Sequence, residues 1–140
     1  MTNQILNLVS HVFERHDNIT LINLDQEDTG MFKYMIDAPS YPNINGLYSV
    51  WKYSNYGYVW SRETSLCRMI LIKTNDINKN NIRHHYIKIY MINKIVPYNV
   101  ILMAECMVSY RNNMEEYVWI VQDKDKLEWN KINSIRIEKV

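Results

Sequence analysis

Between positions 3 and 16 the apolar residues Ile5, Leu8, Val9, Val12 and Phe13 recur at three- and four-residue spacing, and Leu6 widens the stripe. Asn3, Asn7, Ser10, Glu14 and Arg15 lie away from its centre. This pattern predicts an amphipathic helix over 3–16 with one buried face. Thr2 or Asn3 caps its start and Asp17-Asn18 ends it. A lone helix of this kind needs a sheet to lie against.

From Ile19 onward the period shortens to two. Runs rich in β-branched and aromatic residues predict strands near 19–24, 31–36, 47–53, 58–62, 66–73, 84–95, 100–110, 117–122 and 132–138. Punctuation falls at 25–30, at 37–46 with Pro39 and Pro42, at 75–81, at Pro97-Tyr98-Asn99, at Arg111-Asn112-Asn113 and at 123–125. The clearest alternation sets Tyr86, Lys88, Tyr90, Ile92 and Lys94 against Ile87, Ile89, Met91 and Ile95. Connections this short favour antiparallel neighbours, since a parallel crossover takes a dozen residues or more. The predicted fold is α+β but mostly β: the N-terminal amphipathic helix packs on a strongly bent antiparallel sheet, closed as a barrel or sandwich. A chain of 140 residues suits a single domain spanning 1–140, although the loop at 37–46 offers a place to divide the sheet into two halves.

The composition is that of an ordered globular protein: 47% apolar, 22% charged, with three Gly and three Pro. Its bias toward Ile, Asn, Lys and Tyr, at the expense of Gly, Ala, Arg and Pro, matches AT-rich codons and points to an AT-rich genome such as that of a large DNA virus. Net charge is +1. Duplex nucleic-acid binding normally requires a clear basic excess, so it is disfavoured. Cys67 and Cys106 have neither metal nor redox spacing and read as free thiols in a reducing compartment. No run approaches the roughly 20 apolar residues of a membrane-spanning helix, and no signal-peptide pattern opens the chain. These features place the protein in the cytoplasm or host interior, or packaged in a virion, with no membrane partner.

The densest chemistry lies in residues 47–62, where Tyr48, Trp51, Tyr53, Tyr56, Tyr58 and Trp60 flank a turn. Uninterrupted alternation would put Trp51 and Tyr53 on one face of the first strand and Tyr58, Trp60 and Arg62 on one face of the second. If those faces coincide, four rings form a platform edged by Arg62, suited to anchoring a protein, stacking single-stranded bases or caging a cation. The plainer alternative is that the rings fill a core. A second candidate surface interleaves Lys88 and Lys94 with Tyr86 and Tyr90, near Arg83, as nucleic-acid surfaces do. Its plain alternative is a solvated face whose lysine stems cover the rings.

Catalytic signals are weak. His84 and His85 are adjacent, so in a strand they point to opposite faces. His11 and His16 diverge around a helix. Neither pair makes a metal site without Cys67, Cys106 or the acidic loop of Asp25, Glu27 and Asp28. Ser61, Ser65 and Cys67 lack the context of a nucleophile, Glu115 and Glu116 sit at a turn, and Gly30, Gly46 and Gly57 are too far apart to cradle a phosphate. No cofactor is implied. The sequence therefore favours a non-catalytic module, plausibly viral, that binds a protein partner or assembles through Trp51, Tyr53, Tyr58, Trp60 and Arg62, with a homo-oligomer through a strand edge as one form of assembly. A single-stranded nucleic-acid binder using the same rings with Arg83, Lys88 and Lys94 is the alternative. A small hydrolase or nuclease with a His base is the third.

Overall fold

The computed structural model describes residues 11, 13–14, 18–22, 31–77, 83–95, 99–123 and 128–140. Ten strands lie among them: β1 (Leu21–Ile22), β2 (Tyr34–Asp37), β3 (Gly46–Ser54), β4 (Gly57–Glu63), β5 (Cys67–Ile77), β6 (Arg83–Asn93), β7 (Val100–Arg111), β8 (Met114–Asp123), β9 (Glu128–Ile132) and β10 (Arg136–Lys139). Every pairing is antiparallel. The order across the sheet is β10-β2-β3-β4-β5-β6-β7-β8-β9, with β1 added to the far end of β3. The result is a meander curled into a half-barrel.

The mostly β, strongly bent antiparallel sheet agrees with the sequence expectation. The expected helix over 3–16 lies almost wholly outside the described residues, of which His11, Phe13 and Glu14 are helical, and no complete helix is among the described elements. One correction concerns the last strand. The run expected over 132–138 covers only the last residue of β9, a link over 133–135 and most of β10, and the two strands lie at opposite edges of the sheet.

Alternation in the central strands sorts side chains to two faces. On the concave face Tyr34, Ile36, Tyr48, Trp60, Met69, Leu71, Ile87, Ile89, Cys106 and Trp119 form the main core. On the convex face Val59, Ile70, Ile72, Tyr90 and Ile92 are covered by Phe13 and Ile19. Residues 69–72 of β5 are therefore buried on both faces, which is why that stretch reads Met-Ile-Leu-Ile without a polar break. The segment carrying Ile19 is tied to the β3–β4 turn by one side chain. Asn55 Oδ1 accepts from the Thr20 amide at 2.8 Å, and its Nδ2 donates to the Asn18 carbonyl at 2.9 Å.

Local backbone chemistry sets the turns. Asn112 and Asn113 both have positive φ, 53° and 63°, the conformation of a two-residue type I′ hairpin loop, and asparagine tolerates it better than most residues. The loop at 38–45 joins neighbouring strands of one sheet. It folds on itself through the Tyr41 amide to Ala38 carbonyl bond at 2.9 Å and the Ala38 amide to Asn45 Oδ1 bond at 2.8 Å. The buried Tyr48 hydroxyl donates to the Ile44 carbonyl at 2.7 Å, and burial raises its pKa well above the usual range, so it stays a donor at any ordinary pH.

Two predictions follow from this packing. Gly46 has φ +133°, and a Cβ there would stand 2.5 Å from Arg62 Nε. Gly46→Ala should destabilise the fold by about 1–3 kcal/mol, read as a lowered denaturation midpoint at unchanged m-value. Cys106 is fully buried and burial pushes its thiol up to about 12, whereas Cys67 is half-buried. In native protein a thiol reagent should leave Cys106 unmodified and label it only after denaturation, and Cys106→Ser should remove that late-reacting thiol.

Candidate functional site

The aromatic hairpin is β3 and β4, joined by Asn55-Tyr56. Its register shifts between Val50 and Lys52, so Trp51 is the extra residue of a β-bulge. The bulge sends the rings to different faces. Before it, Val50 pairs with Trp60; after it, Tyr53 pairs with Tyr58. Trp60 and Tyr58 join the concave core, while Trp51 packs against the convex cluster. The four rings therefore do not form one platform. Alternation alone had put Trp51 and Tyr53 together, and one inserted residue separates them.

On the concave side, Trp60 is 3% exposed and its indole N–H donates to the Phe32 carbonyl at 3.0 Å. Its ring stacks on Phe32 at 5.5 Å and meets Tyr34 edge-on at 4.7 Å. Tyr58 lies 6.3 Å from Trp60 and packs edge-to-face with Tyr53 at 5.2 Å. Trp60 is thus the rigid base, and the half-buried Tyr53 and Tyr58 are the rings left at the surface. Arg62, expected as a polar rim, is taken up elsewhere: its Nη1 donates to the Asn43 carbonyl at 3.3 Å, and its side chain lies over Gly46.

On the convex side, Trp51 is occupied by the protein's own cations. The Arg68 guanidinium sits 4.8 Å from its ring centroid and Lys52 Nζ 5.5 Å. Arg68 also donates to Ser61 Oγ at 2.6 Å and to Glu63 Oε2 at 2.5 Å. Burial lowers the Arg68 pKa, and the Glu63 partner opposes that shift. Lys94 pairs with the other oxygen of Glu63 and donates to the Thr64 carbonyl at 2.7 Å.

The alternative nucleic-acid residues do not converge on the rings. Lys88 and Tyr90 share the convex face, as alternation requires, but Lys88 is 7% exposed and Tyr90 is 3% exposed, its ring 4.8 Å from that of Phe13. Lys94 is engaged by Glu63. Arg83 pairs with Ile77 at the far end of the β5–β6 ladder.

The structure instead assembles a site the sequence reading missed. At the open end of the concave face an aromatic-lined chamber of about 420 Å3 is bounded by Phe32, Tyr58 and Trp60 and by Lys73, His85 and Lys139. Lys73 and His85 come from the adjoining central strands β5 and β6, and Lys139 comes from β10 at one edge of the sheet. Lys139 Nζ lies 4.9 Å from the Phe32 ring centroid, and Lys73 Nζ lies 6.0 Å from that of Tyr34. No period-two pattern announces this grouping, because it depends on the curl. Among the described residues no three His, Cys, Asp or Glu converge on a metal site.

The Glu63 cluster makes a pH prediction. The Lys94 hydrogen bond, with Arg68 and Lys94 charge, holds the Glu63 carboxyl below its usual pKa, against a smaller opposing effect of burial. A depressed carboxylate stabilises the fold above the unfolded-state pKa, and that stability is lost as pH falls through the folded value. Glu63→Gln should therefore destabilise at neutral pH by less than about 1 kcal/mol, the pair being half exposed, with the difference closing in acid; urea melts across pH read it.

Comparison with protein-family models, curated proteins and solved structures finds no match for this chain.

Proposed function

We propose that this protein is a non-catalytic binding module, plausibly of viral origin, that docks a partner protein through the concave side of its aromatic hairpin. The observation that carries this reading is the pair Tyr53–Tyr58, two half-buried rings packed edge-to-face at 5.2 Å at the turn end of the hairpin and backed by the buried Trp60. Amphipathic rings held on a rigid base give contact area at small entropic cost, the usual character of interface anchors. Trp51 and Arg62 act in this reading as supports, since their side chains are engaged within the molecule. Trp60 anchors the rings from below.

The test uses peptides selected from a displayed library against the wild-type chain. Tyr58→Ala and Tyr53→Ala should each weaken the selected peptides by about tenfold or more, while Trp51→Ala has little effect and the thermal midpoints of the tyrosine variants stay near that of wild type. Peptides that bind both tyrosine variants as tightly as wild type would overturn the reading.

A further inference from the structure

Strand β9 ends the order of the sheet and pairs with β8 along one side. Among the described residues no backbone bond reaches its other side, so the outward N–H and C=O groups of Glu128–Ile132 form an open ladder. That edge is uncovered: Glu128, Trp129, Asn130 and Lys131 are all exposed. Asn130 pairs with the concave Val121 and Ile132 with the concave Trp119, which leaves Trp129 and Lys131 on the convex face beside Ile120, also exposed. Trp51 carries the chain's own cations, but among the described residues Trp129 holds no ring contact and Lys131 no ion pair. The opposite edge strand is blunted instead. β10 reads Arg-Ile-Glu-Lys, three charges in four residues, the usual device against edge pairing.

We infer that β9 pairs with β9 of a second copy of this chain, antiparallel and centred on Asn130, to join two sheets into a dimer. A dyad between two such strands keeps convex with convex, so it passes beside a residue and not between two. Centred on Asn130, the ladder uses all five residues of the strand: Trp129 faces the partner's Lys131, and Glu128 faces the partner's Ile132. A centre at Trp129 or at Lys131 would leave only three of the five paired, and the second would set two ammonium groups against each other. A cation over an indole is the contact the chain already builds at Trp51. A second copy fits better than a foreign strand, because the match comes from the order of residues in β9 itself and is made twice by symmetry. So short a ladder buries less than a standard interface, and the dimer is therefore a weak one that forms at high concentration. The surface shares no residue with the aromatic hairpin.

Sedimentation equilibrium of the full chain tests the association, and cysteine cross-linking tests its register. The wild-type chain should pass from monomer to dimer with a dissociation constant of about 10–1000 μM. Trp129→Ser and Lys131→Glu, both at exposed positions, should each weaken the dimer by about tenfold or more with the thermal midpoint of the dilute monomer unchanged, and Lys131→Arg should retain it. In a Cys67→Ser background, Asn130→Cys lies opposite its own copy at about 5 Å between Cα atoms and should give an intermolecular disulfide on oxidation with diamide. Glu128→Cys, about 14 Å from its copy, should not. A chain still monomeric at about 1 mM, equal association in Trp129→Ser, cross-linking through Glu128→Cys in place of Asn130→Cys, or growth into larger assemblies through β9 on β10 would each overturn the inference. None of these outcomes touches the Tyr53 and Tyr58 test.

Discussion

The structure depends on one geometric constraint: strands β9 and β10 are consecutive in the chain yet lie at opposite edges of the same sheet. Eight strand gaps of about 4.8 Å would hold those edges nearly 40 Å apart in a flat sheet. The link over 133–135 reaches about 14 Å when fully extended. The sheet therefore has to curl until its ends approach. Pairing of β10 with β2, extended by the mutual backbone bonds of Lys33 and Val140 at 2.8 and 3.0 Å, fixes that curl.

Once the sheet is curled, its concave side becomes an interior that both edges help to fill. Ile132 from β9, Ile135 from the link and Ile137 from β10 all pack on the cluster containing Trp60 and Trp119. The same curvature exposes the convex face, and Phe13 and Ile19 cover the part of it most in need of cover. It also carries Lys139 across the molecule to His85 and Lys73, three residues that no nearness in sequence brings together. Core, cover and mouth are thus consequences of a single closure.

How much of this was legible in the sequence follows from which signals are local. Strand β6 was readable because its alternation is long and regular, β5 and β7 because their apolar runs are bounded by turn signals, and the Asn112-Asn113 turn because its conformation selects the residue. Strand β9 was not. Glu128, Asn130 and Lys131 are exposed on an edge strand, and Trp129 is 43% exposed, so burial left no pattern to read. The bulge at Trp51 was invisible for another reason. Apolar residues occupy both faces of the hairpin, so sliding the register by one residue leaves the string of hydrophobic letters unchanged in kind. Lys88 shows the same limit: alternation gave its face correctly but not its 7% exposure, which depends on what packs beside it.

The bulge also divides labour among the rings in a way that a regular hairpin would not. Without the extra residue, alternation from the concave Tyr48 and Val50 would keep Trp51 convex but would send Tyr53 to that side with it and turn Lys52 toward the concave core. Tyr58 would then lose the ring that packs edge-to-face on it at 5.2 Å. On the convex side Trp51 lies beneath the Arg68 guanidinium, whose Nη1 and Nη2 reach Ser61 and Glu63, and so links β3, β4 and β5. A partly buried guanidinium needs such partners, because stripping water from it costs more than one exposed carboxylate returns. Trp51 is therefore a structural brace. The bulge leaves Trp51 in that place and returns Tyr53 to the concave side, where its ring packs on Tyr58.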